Sequence, residues 1–405
     1  MARTVAGLPA GTRITDFISL GVIAKTFPIS KVQTAIDSSG KASIRERDLP
    51  AHVVVYYVLA LALHMGSSYR EVLRCLLEGI QWLTGDSVIR VTGKSGISQA
   101  RTRLGSEPML RLHDDVVGPI ATPSTKGAWY KRWRIVSIDG ATLDVADEQE
   151  NNRIFERPSA KQGESAFPQI RFVSLLENGT HVLFGTRTGG VRTSEYNLAK
   201  EVVPFLRKGM LCCADRGFHG FDLFLSAAST GADLLWRVKK NMVLPRTKSL
   251  HDGSYLSAIY ETQADRKAGR NGTTIRVIEY ALDGIAGSEP VYRLITTVLD
   301  PNEAKAEELA ALYHERWEIE TAFDELKTHL RGARVVLRSK TPDLVKQELY
   351  GLLMAHFAIR GIMHEAALRA NEDPDRLSFL HAVRVVKRKM ARFASIPPSG
   401  QENFS

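Results

Sequence analysis

Cysteine is scarce, with three in 405 residues, at positions 75, 212 and 213. An odd number that includes an adjacent pair argues against a disulfide framework and supplies no spaced thiolates for a zinc cluster, so a reducing compartment is expected. Long apolar runs are also missing. VVVYYVLALALHM at 53–65 is too short to span a bilayer. The opening MARTVAGLPAGTRITDF lacks the apolar stretch of a signal peptide, and a cytoplasmic location is expected. No internal repeat and no low-complexity segment interrupts the chain. Acidic residues are in deficit, 45 against 54 Lys and Arg, leaving a net charge of +9. That surplus favours a polyanionic partner, because neutralising phosphates releases condensed counterions. Residues 331–405 hold 13 Lys and Arg against 7 Asp and Glu, concentrated in RVVKRKMARF at 384–393.

What is present reads as an ordinary globular composition, 44% hydrophobic and 24% charged, in a chain long enough for two or three domains. Residues 1–130 look mainly helical, with apolar runs at 15–25, 51–65, 69–83 and 108–122. In KSGISQARTRLG at 94–105, Ser98 is the expected cap of a short helix carrying Arg101 and Arg103. Those arginines are either a weak DNA-contact signal from a helix-turn-helix or simply solvated cations. From 133 the texture changes. WRIVSIDG and two β-rich runs joined at Glu177-Asn178-Gly179 predict a strand and a hairpin. A helix at 194–207, the strand GMLCCAD, a helix at 220–230 and the strand ADLLWRVK follow.

The order β-β-β-α-β-α-β predicts an α/β fold with a ribonuclease-H-like core over 131–238 and 291–335. An α-helical N-terminal DNA-binding domain (1–130) precedes it. Residues 239–290 read as an inserted β subdomain and 336–405 as a basic helical C-terminal region, with helices at 342–370 and 376–393. Between 302 and 330 lies a long helical pattern capped by Asn302.

That pattern includes YHERWEIETAFDELKTHL. At about 100° per residue, Tyr313, Arg316, Glu320, Asp324 and Lys327 fall within roughly 80° of one another, beside an apolar stripe of Leu312, Ile319, Phe323, Leu326 and Leu330. One reading is a ladder of i, i+3 and i, i+4 ion pairs. The other is a line of phosphate-holding cations around a metal ligand. Asp139 and Asp215 favour the second, since each ends an expected strand, where α/β folds place their ligands. An Asp at a strand end also caps turns. If the helix crosses the strand ends, Asp139, Asp215 and Glu320 supply hard oxygen donors for divalent cations, and three such anions stay ionised only beside cations. Two ions would activate a water or a 3′ hydroxyl for in-line attack on a phosphodiester. Arg316 and Lys327 would hold phosphates, and the Tyr313 hydroxyl would donate to another.

The spacing Y-(2)-R-(3)-E-(6)-K of Tyr313, Arg316, Glu320 and Lys327 resembles the signature of the insertion-sequence-four family of bacterial DDE transposases. IDG at 138–140, ADRGF at 214–218 and GADLLWRVK at 231–239 extend the resemblance over nearly the whole chain. It implies that Asp139, Asp215 and Glu320 bind two Mg²⁺ (or Mn²⁺) ions, and that Tyr313, Arg316 and Lys327 contact the transposon end. It also implies an aromatic residue stacking on a flipped base, for which Trp236 stands between that role and a place in the core. Arg216, Lys239 and Lys240 are further phosphate contacts by charge and position. Asp144 and Asp147 lie near Asp139 without matching the motif, and Asp324 is expected to pair with Lys327 or its neighbours.

The expected function is therefore a nucleoid-associated DDE transposase. It would bind double-stranded DNA as terminal inverted repeats, cut at the element ends, and join 3′ hydroxyls to target DNA, as a homodimer in the synaptic complex. A metal-dependent nuclease without strand joining and a catalytically silent DNA-binding protein are the alternatives.

Overall fold

The computed structural model describes residues 23–43, 49–65, 68–74, 76, 94–160, 163–281, 291–332 and 335–383. Cys75 and the basic segment 384–393 lie outside these residues. The amino-terminal region is helical where described: α1 (Ile29–Ser38), α2 (Ala51–Leu63), α3 (Lys94–Leu104) and α4 (Glu107–Val116). The run too short for a membrane is α2, apolar all round and buried over ten of its thirteen residues, as such a helix must be. Among the described residues no helix is long and apolar enough to cross a membrane.

The sheet follows, built from β1 (Trp133–Asp144), β2 (Gln169–Glu177) and β3 (Val182–Gly190). Next come α5 (Glu195–Val202), β4 (Met210–Ala214), α6 (Phe221–Ser229) and β5 (Asp233–Arg237). The expected β-β-β-α-β-α-β order is thus present within a mixed α/β fold. The hairpin turn spans Asn178–His181, and Gly179 there has φ +78°; a Cβ would come within 2.7 Å of the Ala128 nitrogen.

Three further strands, β6 (Tyr255–Ile259), β7 (Thr273–Tyr280) and β8 (Tyr292–Thr296), come from the segment read as an insertion and its sequel. They do not form a sheet of their own. The order is β3-β2-β1-β4-β5-β8-β7-β6, with Lys248–Ser249 at the far edge. β1, β4 and β5 run parallel, whereas β8 joins β5 antiparallel, with Ile295 opposite Trp236. The expected β subdomain is therefore an antiparallel extension of the one sheet. Its strands bury Ile275, Val277 and Ile295 in the same core as the rest.

Beyond the sheet, α7 (Ala306–Tyr313), a 3₁₀ turn (His314–Trp317), α8 (Glu318–Asp324) and a π-helical segment (Glu325–Leu330) form one helical run. Its N-cap is Lys305, not Asn302, which sits in a turn donating to Asp300. Side chains alternate across the strands, so the sheet has two apolar layers. Leu211, Cys213 and Leu235 meet Leu309 and Leu312 of α7 on one face; Cys212, Leu234 and Trp236 share the other layer with Ile319 and Phe323 of α8. The run passes from one layer to the other through its 3₁₀ turn. Both described cysteines are buried free thiols.

The last long helix, α9 (Pro342–Ala370), has the expected bounds, with Pro342 at its first position and Asn371 in the left-handed conformation after its end. It packs on α2, where a Cβ on Gly351 would lie 2.9 Å from Val58 Cγ1. The amino-terminal helices, α9 and the sheet thus share one core. Arg101 belongs to it. It is 2% exposed and donates to Gln347, Ser339 and the Leu344 carbonyl, so it ties α3 to α9 and is removed from the DNA-contact reading. Ser98 is not a cap, because α3 begins four residues earlier.

Candidate active site

β1 does not end at Asp139 as expected; β2 pairs along it as far as Asp144 and keeps it extended. What ends there is the parallel partner. The last β1–β4 pair is Ile138 with Ala214, so Asp139 and Asp215 are the next residues on neighbouring strands, spaced about 4.8 Å in the sheet direction. Asp139 accepts from the Gly140 amide (2.8 Å) and from Arg316 Nη1 (3.0 Å), and Asp215 from the Gly217 amide (2.7 Å).

Gly140 has its own reason. A Cβ there would lie 2.6 Å from Glu195 Cδ, so its absence lets Glu195, at the start of α5, approach the site. Burial pushes the Asp139 carboxyl up to about 6, and the charges of Asp215 and Glu195 add to it, against the Gly140 amide and Arg316. Glu195 was not foreseen. The glycine that follows the aspartate was the available signal.

The helical run brings the third carboxylate. Arg316, buried in the 3₁₀ turn, reaches Asp139 with Nη1 and approaches Glu320 Oε1 to 3.7 Å with Nη2, while half of the Glu320 side chain stays exposed. One guanidinium thus lies between carboxylates 177 and four residues away in sequence. The run is pinned beneath: Tyr313 donates to the Ala214 carbonyl (3.3 Å), Asn178 to the Glu315 carbonyl (2.6 Å), and the Gly179 amide to Glu318 (2.5 Å).

This changes the expected line of side chains, because the 3₁₀ and π segments alter the turn angle on either side of α8. Tyr313 is buried and engaged with β4, so its hydroxyl does not face a phosphate. Lys327 is half-buried. Burial and Arg331 lower its pKa, opposed by Asp139, Asp324 and Asp144, which places it beside the carboxylates. Asp324 accepts from Thr328 (2.6 Å) and lies 3.6 Å from His329, so it is engaged by the neighbours of Lys327, as expected. Asp144 accepts from Gln169, and Asp147 pairs with Arg157.

Arg216, Lys239 and Lys240 are exposed at the ends of β4 and β5. Trp236 is not. It is 0% exposed, edge-on to Phe224, and points into the layer opposite the one lined by Leu235, so the core alternative holds and base stacking by Trp236 is corrected. The exposed aromatic at the site is Trp317, 54% exposed, with the Arg316 guanidinium 4.9 Å from its ring. Its place between Arg316 and Glu320 was the missed signal.

Asp139, Asp215 and Glu320 offer oxygen donors only. Burial, with a smaller contribution from the charge of Asp215, raises Asp139, and a cation, Arg316, lies between Asp139 and Glu320. Such a set suits hard divalent ions. A different group, His181, Glu318 and Asp375, brings its ligand atoms within 4.8 Å of one another.

Two aspartates on parallel neighbours and a glutamate from a helix across them point to a class, the metal-dependent phosphoryl-transfer enzymes of DDE type. The family follows from comparison with known proteins. The transposase DDE domain family matches residues 131–358, and the insertion element 4 transposase N-terminal family matches residues 17–114. The chain belongs to the DDE transposases of the insertion-sequence-four family; it is an enzyme, a DNA transposase. Family membership brings dependence on a divalent metal and DNA as the partner.

Transposase InsG for insertion sequence element IS4 of Escherichia coli (strain K12) is 26% identical over 378 residues, 91% of this chain and 82% of that one. The transposase for insertion sequence element IS421 of Escherichia coli is 40% identical over 72 residues, 17% and 18% of the two chains. A piggyBac transposase synaptic complex with hairpin DNA, solved by cryo-EM, aligns over 96% of this chain and 84% of that one at 12% identity, with a TM-score of 0.46, too low to bear on the assignment.

Proposed function

We propose that Asp139, Asp215 and Glu320 are the catalytic carboxylates of a ribonuclease-H-like core made by β3-β2-β1-β4-β5, acting on the terminal inverted repeats of the chain's own element. The observation that carries this is Arg316 lying between Asp139 and Glu320, which draws the motif helix onto the strand pair. Two Mg²⁺ or Mn²⁺ ions, when bound by these carboxylates, would lower the pKa of a water or a 3′ hydroxyl and neutralise charge on the phosphodiester.

The chain's own groups do the rest. Arg316 holds two carboxylates at a set separation and becomes available to phosphate once ions neutralise them. Lys327, Arg216, Lys239 and Lys240 hold the phosphate chain on either side. Tyr313 seats the helix on β4. Trp317 presents its indole to an unpaired base, taking the role first considered for Trp236. The amino-terminal helices and the basic carboxyl-terminal region bind the ends, and a homodimer brings two ends together.

The test incubates the protein with labelled element ends, target plasmid and Mg²⁺ or Mn²⁺. Joined products are expected. Cut ends with no joined product under every condition would leave only a nuclease.

A further inference from the structure

One acidic side chain beside the site lies outside the expected trio. Glu195 opens α5, yet it is not needed to cap that helix, because the Ser194 hydroxyl accepts from the Asn197 amide. An acidic residue in a first turn gains from the helix dipole wherever its side chain points, so its direction has another cause. The Glu195 carboxylate lies over Gly140. A Cβ at position 140 would come within 2.6 Å of Glu195 Cδ and 2.8 Å of Oε1. Gly140 has no positive φ, so its backbone does not call for glycine, whereas the space above it does.

That space opens toward the strand ends. β4 stops pairing with β1 at Ile138 and Ala214, so beyond this pair the β1 edge has no strand beside it, while β2 still closes the other edge. Asp139 and Gly140 present opposite faces of β1. The missing strand lets a carboxylate over Gly140 reach round the edge to the Asp139 side, and the charge of Glu195 already acts on Asp139.

Little holds Glu195 elsewhere. Its ion pair is with Arg171, whose Nε stands 3.8 Å from Oε1 and makes no hydrogen bond. That arginine gives Nη1 to the Thr193 carbonyl instead (2.8 Å), fixing the backbone just before the helix. The Glu195 side chain is 40% exposed, so it can move toward a bound ion.

We propose, on the reading of Asp139, Asp215 and Glu320 as the metal-holding carboxylates, that Glu195 is a fourth carboxylate ligand of the divalent metal at Asp139, reached across Gly140. Its oxygens suit the same hard ions as the other three. The glycine after Asp139 is then part of the site, since a side chain there would push this ligand away.

The test measures Mn²⁺ binding by the full chain without DNA, through the electron-spin signal of free Mn²⁺, and beside it the half-saturating Mg²⁺ concentration for cleavage of labelled element ends. Glu195→Gln should weaken Mn²⁺ binding about 10-fold or more and raise the Mg²⁺ requirement in step, with the melting temperature of the metal-free chain near native. Gly140→Ala keeps every carboxylate but fills the space, and should do the same. The double variant should be no worse than Glu195→Gln alone, because both changes remove one contact. Native Mn²⁺ affinity in Gly140→Ala would reduce Glu195 to a charge at a helix end and overturn the proposal. Asp139→Asn separates the two readings. If it loses Mn²⁺ while Glu195→Gln binds as the native chain does, the fourth ligand falls and the three carboxylates stand. If Asp139→Asn binds as tightly as native, or the native chain binds no Mn²⁺, both fall.

Discussion

Asp139→Asn should make the metal-free protein more stable at alkaline pH while destroying its activity. The carboxyl is raised from 3.8 to about 6 by burial and by the charges of Asp215 and Glu195, so ionising it costs more in the folded chain than in the unfolded one. A folded-state pKa raised above the unfolded value gives stability that is present below the unfolded pKa and lost as pH rises through the folded one. At 1.36 kcal/mol per pH unit the loss is about 1 kcal/mol at pH 4.5 and about 3 kcal/mol at pH 8. Asparagine removes this dependence but also one acceptor, since Asp139 receives both the Gly140 amide and Arg316. That costs about 1 kcal/mol at every pH. The variant should therefore match the native chain near pH 4.5 and exceed it by about 2 kcal/mol at pH 8. Denaturant unfolding in chelator at the two pH values measures this, and saturating Mg²⁺ should close the gap by stabilising only the native chain. A stability difference that does not change between pH 4.5 and pH 8, or that shrinks toward alkali, would refute the raised, buried carboxyl at Asp139.

Other outcomes follow from the same geometry. Glu325→Gln removes the centre of a buried network in which His181, His356 and Arg360 outweigh burial and hold the carboxyl well below the usual range; unfolding should show a loss of about 3–5 kcal/mol. Trp317→Ala should leave the melting temperature near native and weaken binding to element ends by about 1–3 kcal/mol in a gel-shift titration. Trp236→Ala should instead cost about 3–5 kcal/mol of stability, because its side chain is wholly buried. Arg316→Ala should lower the slope of log affinity against log salt by about 1, and an unchanged slope would remove its phosphate contact.

Much of the plan was legible in the sequence because local chemistry and global packing agree there. The helix expected at 342–370 is α9, and the Asn-Gly pair marks the β2–β3 turn. The ends of GMLCCAD and WRIVSID bring Asp139 and Asp215 together even though β1 runs on beyond Asp139. What was not legible depends on partners far away in sequence. The β6–β8 strands look detached until β8 is seen pairing with β5. That Trp236 turns into the core while Trp317 reaches solvent depends on packing between distant segments. A straight-helix angle could not foresee the 3₁₀ and π segments or the inward turn of Tyr313. Residues 181, 318, 325, 356, 360 and 375 come from four elements, and no spacing announces their convergence.

The central claim is that Glu320, drawn to Asp139 through Arg316, completes the reacting site. Cleavage of labelled element ends in Mg²⁺ or Mn²⁺ should be measured for the native chain, for Glu320→Gln and for Thr321→Ala, an exposed neighbour on the same helix. The account predicts near-native cleavage by Thr321→Ala and a loss of at least about 100-fold for Glu320→Gln, with folding intact, because a direct metal ligand should cost more than the 10–100-fold of an outer partner. Metal-dependent cleavage by Glu320→Gln at the native rate would contradict it.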